Sequence, residues 1–226
     1  MHRALDNIGA ARSATRARPH PKARLVNWLA HVFLSEPNVD FRLGNLLADI
    51  VKGEQRKGMP AEFLRGVRCH QAIDAFTDAH PVVRRSRARV GAGQRRFSGV
   101  LVDVFYDFFL ATQWDRYSEV ALDAFTTAFY ADIRASAIAL PEQARAVADR
   151  IVRHDLLGSY RRVEGVERAL RRISAYLSSR WQREFALEQG VADLLAHQDG
   201  FAADFIEFFP ALRAHVADTI GLDQEH

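Results

Sequence analysis

From Asn27 onward, apolar residues recur at the three- and four-residue spacing of helices that bury one face. A short apolar piece, Asn27 to Leu34, is broken by Ser35-Glu36-Pro37-Asn38. Phe41 to Val51 follows, and then a loop marked by Gly53, Gly58 and Pro60. Pro60 suits the first turn of a helix that runs to about Asp78 and stops ahead of Pro81. A basic segment over 82–96 leads into a central helix over about 97–112. Further periodic segments cover about 119–139, 142–154, 160–178, 180–198 and 201–219, with Pro141, Gly158, Gly200 and Pro210 as punctuation. Nowhere does two-residue alternation bounded by turn pairs argue for a strand. The pattern predicts an all-α, single-domain helical bundle over 26–220.

Residues 1–25 show neither this periodicity nor a hydrophobic signal-peptide core. They read as a disordered leader upstream of the true start, for which Val26 is the expected position because a Val codon can initiate in bacteria. The leader also distorts the charge. It holds six basic residues against Asp6, so the formal +3 of the whole chain becomes −2 without it. Net charge therefore gives no argument for nucleic acid. The 48% hydrophobic composition suits one sizeable core. A single cysteine, Cys69, excludes an internal disulfide and fits a reducing cytoplasm. No apolar run reaches the roughly 18 residues of a membrane span.

The strongest candidate for that span, Phe97 to Leu110, is interrupted by Asp103 and Asp107, four residues apart and so on one helix face. Two carboxylates among Val, Leu and Phe repel each other unless a cation or a proton lies between them. The same anomaly recurs three times: His31 in NWLAHVFL, Asp49 in LGNLLADIV, and His70, Asp74 and Asp78 in one i, i+4 stripe. Taken singly, each has an ordinary explanation. A lone core histidine bonds a backbone carbonyl, a lone acid pairs with an arginine, and HxxxD occurs on many solvated faces. Together they are four apolar segments that each bring an acid or an imidazole, and a helical bundle projects such groups into one interior. Oxygen ligands with one or two imidazoles favour Mn²⁺, Fe or Mg²⁺ over a thiolate zinc site. Such an ion suits hydrolysis of a phosphate ester.

Charge adds a second feature. Between Asp78 and Asp103 there is no acid, while Arg84, Arg85, Arg87, Arg89, Arg95 and Arg96 all occur. An uncompensated cluster of this kind can hold a phosphate or dock an acidic partner. Arg161, Arg162, Arg168, Arg171 and Arg172 form a second group diluted by Glu164 and Glu167. His154-Asp155, the only His-Asp dipeptide, reads as a helix end, because adjacent helical residues point about 100° apart.

In this order, NWLAHVFLS, LGNLLADIVKG, the H-x-x-x-D-x-x-x-D run before Pro81, Arg95-Arg96 and LVDVFYDFFL resemble the acyl carrier protein phosphodiesterase family. HDLLGSYRRVEGVERAL and FIEFFPALRAHV extend the resemblance to roughly 26–216, with Leu156 standing where the family carries an aromatic residue. The resemblance implies a fold related to HD-domain phosphohydrolases and a Mn²⁺-dependent cytoplasmic hydrolase. Its implied reaction removes 4′-phosphopantetheine from an acidic holo acyl carrier protein. It further implies Asp49, His70, Asp74 and Asp107 as metal ligands, His31 and Asp103 close behind them, and Arg95 or Arg96 steadying the phosphoryl charge. Arg84, Arg85, Arg87 and Arg89 are then expected to meet the carrier. Two other readings compete: a phosphohydrolase acting on a nucleotide or another small phosphoester, and a non-catalytic module that binds an acidic partner.

Overall fold

The computed structural model describes residues 28–224, with side chains through 221. The expected leader and the start at Val26 lie outside these residues. Among them there is no strand, and ten α-helices follow one another with short 3₁₀ turns between them. None is long and apolar enough to cross a membrane.

The centre of the fold is α5, Ser98–Thr112, buried along almost its whole length from Val100 to Ala111 with Asp103 as the half-buried exception. A helix apolar all round must be wrapped by others. Here α1 (Trp28–Phe33), α4 (Pro81–Arg89), α8 (Val163–Trp181) and α10 (Gln198–Gln224) pack against it. The six residues of α1 are too few for a self-sustaining helix. They are pinned from outside: both carboxylate oxygens of Asp107 accept from its first turn, from the Leu29 amide at 3.0 Å and the Ala30 amide at 2.9 Å. This buried acid therefore satisfies two of the four unpaired donors that open a helix.

Two glycines set the next layer. A Cβ at Gly44 of α2 (Val39–Leu47) would lie 1.9 Å from the Phe63 carbonyl of α3 (Ala61–Ala79), and one at Gly66 of α3 would lie 2.0 Å from the Phe41 carbonyl. Only glycine lets two helix backbones touch in this way. The main chain near Asn45 is thereby laid against the side of α3 that carries His70.

The remainder departs from the periodic pattern in three places. The basic segment over 82–96 is not a plain connector: α4 occupies most of it, with His80 accepting from Val82 N at its start and Pro81 in its first turn. The segment over 180–198 is not one helix. Helix α8 ends at Trp181 with Gln182 in the left-handed region, a 3₁₀ turn spans Leu187–Gly190, and α9 covers Val191–Ala196. Pro210 is not a break but lies inside α10. The carbonyl it leaves without a donor belongs to Ile206, which is 41% exposed, so water can take that bond. Helices α6 (Leu122–Ala135) and α7 (Glu142–Arg153) complete the bundle. Asp155, at φ 44°, caps the turn after α7 by accepting from Tyr130 Oη and Gly158 N, as its helix-end reading required.

Candidate metal centre

Four polar side chains expected from sequence meet where α1, the end of α2 and α3 converge. The stripe of α3 presents His70 and Asp74, α1 presents His31, and the turn after α2 presents Asp49. His31 Nε2 lies 3.5 Å from one oxygen of Asp74, and His70 Nε2 lies 3.4 Å from the other. Asp49 joins through His70, with Oδ2 3.5 Å from Nε2. The two imidazoles stack with centroids 4.2 Å apart. One nitrogen or oxygen from each of His31, His70 and Asp74 lies within 4.8 Å of the others.

The electrostatics are those of a site that needs positive charge. Both Nε2 atoms are buried and without a hydrogen-bond partner. Burial, and then the neighbouring His70, push the His31 pKa down and keep that ring neutral. Burial also disfavours a charged His70, but Asp49 and Asp74 outweigh it and lift its pKa to about 9. Asp74 is held well below the usual carboxylate range, since His31 and His70 overcome the effect of its burial. An ion fits this donor set. Two atoms bound to one ion at about 2.1 Å stand roughly 3–4 Å from each other, whereas 3.4–3.5 Å is long for a charge-assisted hydrogen bond.

The centre opens on a cleft of about 470 Å³ whose lining includes Asp49, His70, Asp74 and Asp78 together with the cations Lys52 and Arg56. Lys52 Nζ lies 3.6 Å from Asp49 Oδ1, and Arg56 is oriented by donating to the carbonyls of Val51 and Ala48, each at 2.8 Å. Asp103 stands beside this group, where burial lifts its pKa to about 7, Arg87 opposing and Asp74 and Asp78 adding to the rise.

Other sequence expectations meet different surroundings. Asp107 spends both oxygens on the start of α1 instead of turning them toward the histidines, and burial raises its pKa well above the usual range. The arginine run is not uncompensated, because acids far along the chain reach it. Asp204 of α10, 1% exposed, accepts from Arg85, Ser86 and Arg89, and Glu207 takes Arg85 as well. Arg87 donates to Asp78 at 2.7 Å and Arg84 to the Ala79 carbonyl at 2.5 Å. Arg95 and Arg96 are exposed, Arg96 lying over its neighbour Phe97. Asn45, Lys52 and Arg56 were not singled out by the sequence pattern. The two cations follow the anomalous Asp49 closely, and that proximity was the available signal.

A family model described as acyl carrier protein phosphodiesterase matches residues 26–212. The chain is 30% identical over 193 residues to the acyl carrier protein phosphodiesterase of Salmonella agona (strain SL483), an alignment covering 85% of this chain and 98% of that one. Its similarity to the proteins of the same name in Salmonella dublin and Salmonella newport (strain SL254) has the same extent. No solved structure matches. With the family match spanning α1 to α10 and every residue of the polar centre within it, this chain belongs to the acyl carrier protein phosphodiesterase family.

Proposed function

We propose that this protein hydrolyses the phosphodiester that joins 4′-phosphopantetheine to a serine of holo acyl carrier protein, using a divalent cation, Mn²⁺ before Mg²⁺ or Fe, held by His31, His70, Asp74 and Asp49. The observation that carries the reading is the pair of buried, partnerless Nε2 atoms facing two carboxylates at the head of a cationic cleft. A cation bound there would supply Lewis acidity to the phosphoryl oxygens and acidify a water.

The chain's own residues supply the rest. Lys52 and Arg56 line the cleft and would hold the anionic diester, a role expected from sequence for Arg95 or Arg96. Water adds to phosphorus, the bond from phosphorus to the serine oxygen breaks, and that oxygen takes a proton. Asp103, whose pKa of about 7 leaves it partly protonated near neutrality, is the group to which we assign this proton. The products are apo carrier protein and 4′-phosphopantetheine. Among the arginines first expected to meet the carrier, Arg84 has no acid on its guanidinium, while Arg85, Arg87 and Arg89 are held by Asp204, Glu207 and Asp78. Arg84 is the one we retain as a contact with the acidic carrier.

The test is to incubate the protein and Mn²⁺ with holo carrier protein and weigh the carrier by mass spectrometry. Loss of the phosphopantetheine mass supports the reading. An unchanged carrier together with turnover of small phosphodiesters or nucleotides would replace it with the small-phosphoester reading, and binding of the carrier without any turnover would favour a non-catalytic module.

A further inference from the structure

Asn45 is fully buried at the end of α2 and touches both histidines with different parts of itself. Its side-chain Oδ1 lies 2.6 Å from His31 Nδ1, and its backbone carbonyl lies 2.8 Å from His70 Nδ1. The other end of the amide, Nδ2, lies 2.9 Å from the His31 carbonyl, 2.9 Å from Ser35 Oγ and 3.5 Å from Cys69 Sγ.

These contacts determine where the protons sit. The His31 carbonyl can only accept, so the NH₂ end of Asn45 must face it. The reversed amide would set two carbonyl oxygens against each other in a dry site. Oδ1 is then the atom turned to the His31 ring, and as an acceptor it requires a proton on Nδ1. The main-chain carbonyl of residue 45 requires the same of His70. A neutral imidazole has one proton, so the neutral His31 is left with a lone pair on Nε2. His70 has one there once an ion displaces the proton that Asp49 and Asp74 otherwise hold, and both Nε2 atoms point at Asp74.

We propose that Asn45 is the positioning residue of this centre: it keeps the Nδ1 of both imidazoles protonated and so reserves both Nε2 atoms, which face Asp74, for a proton or a cation. The inference rests on the cation-dependent function proposed above, and it extends a general habit of metal-binding histidines, which give the second ring nitrogen to a fixed acceptor. The role is divided within one residue. His31 depends on the side chain, whereas His70 depends on main chain held in place by the contact of α2 and α3 at Gly44 and Gly66. Substituting Asn45 therefore frees one ring and leaves the other. A freed His31 has Asp74 as its remaining acceptor, through Nε2, and moves its proton to the wrong nitrogen for binding an ion.

The test is ¹⁵N NMR of the metal-free, histidine-labelled protein with a parallel calorimetric titration with Mn²⁺. The wild type should show a protonated Nδ1 and a bare Nε2 on His31. Asn45→Ala should reverse that assignment for His31 alone, leave the His70 Nδ1 signal in place, and weaken Mn²⁺ binding about 10–100-fold. A proton on His31 Nε2 in the wild type overturns the proposal, and that spectrum needs no variant to fold. So does an Asn45→Ala protein that stays folded with the wild-type tautomer and Mn²⁺ affinity. The expected tautomer in a protein that binds no Mn²⁺ would instead sink the cation reading while leaving the positioning by Asn45 standing.

Discussion

His31 of α1 and His70 of α3, 39 positions apart in sequence, stack with ring centroids 4.2 Å apart and planes 25° from parallel. The stack sets their Nε2 atoms on the two oxygens of a single carboxylate, Asp74. Two imidazolium rings so close would repel, and only one is charged: burial, and then His70, push the His31 pKa down, while Asp49 and Asp74 outweigh burial to raise that of His70. One carboxylate serving two imidazoles is the feature from which the account of the site follows.

Asp74→Asn should therefore disable the centre without unfolding the protein. The side chain is 41% exposed, so the protein should still fold, although the metal-free form loses part of the stability that Asp74 gives the protonated His70; the lost charge is shared by both rings. Mn²⁺ affinity should fall by about tenfold or more, and carrier hydrolysis should fall with it, by calorimetry and mass spectrometry. Wild-type Mn²⁺ affinity in a folded Asp74→Asn protein would contradict the assignment.

The metal-free protein should lose stability as the solution becomes alkaline. The pKa of His70 is raised in the folded state to about 9 from 6.5, so its contribution is fully present below 6.5 and is lost as pH rises through about 9. The full effect is on the order of 3 kcal/mol at about 1.4 kcal/mol per pH unit. Urea unfolding of the chelator-treated protein across that interval should show the decline, and His70→Gln should flatten it. An equal slope in the variant would assign the effect elsewhere.

Asp107 should behave as a helix cap. Asp107→Ala leaves the Leu29 and Ala30 amides buried without an acceptor, at a cost of about 2–4 kcal/mol. Asp107→Asn keeps one accepting oxygen and should cost less. Denaturant unfolding gives the order, and bound Mn²⁺ per folded chain should be the same in both variants. A folded Asp107→Asn that binds no Mn²⁺ would return Asp107 to the ligand set expected from sequence.

The contact between α2 and α3 should be intolerant of a single methyl group. Gly66→Ala places a Cβ against the Phe41 carbonyl, which is backbone and has no room to yield. A destabilisation of at least about 2 kcal/mol is expected, with weaker Mn²⁺ binding because the Asn45 carbonyl moves off His70. Gly93→Ala, where a Cβ meets open space, is the control.

The helical course and four members of the centre were legible because an acid or imidazole inside an apolar run stands out, as His31, Asp49, His70 and Asp74 do. That signal does not say what compensates each group. Asp107 and Asp74 both sit on helices rich in apolar residues, yet one is satisfied by backbone amides of a helix 77 residues earlier and the other faces the Nε2 atoms of two imidazoles. Asp204 lies in an equally apolar run, FAADFIEFF, and its partners Arg85 and Arg89 are 119 and 115 residues away, so the arginine cluster read as uncompensated. Asn45 is invisible to periodicity, since a buried amide takes its meaning from the atoms around it. Pro210 misled because its cost depends on whether the freed carbonyl reaches water, which only the exposed face of α10 decides.

The most direct measurement is a crystal structure of the protein soaked in Mn²⁺, with anomalous differences collected at the manganese edge. A peak should appear bounded by His31 Nε2, His70 Nε2 and Asp74, with Asp49 at its side and Asp107 still on the start of α1. A well-occupied peak elsewhere, or Nε2 atoms hydrogen-bonded to Asp74 with no ion between them at saturating Mn²⁺, would contradict it.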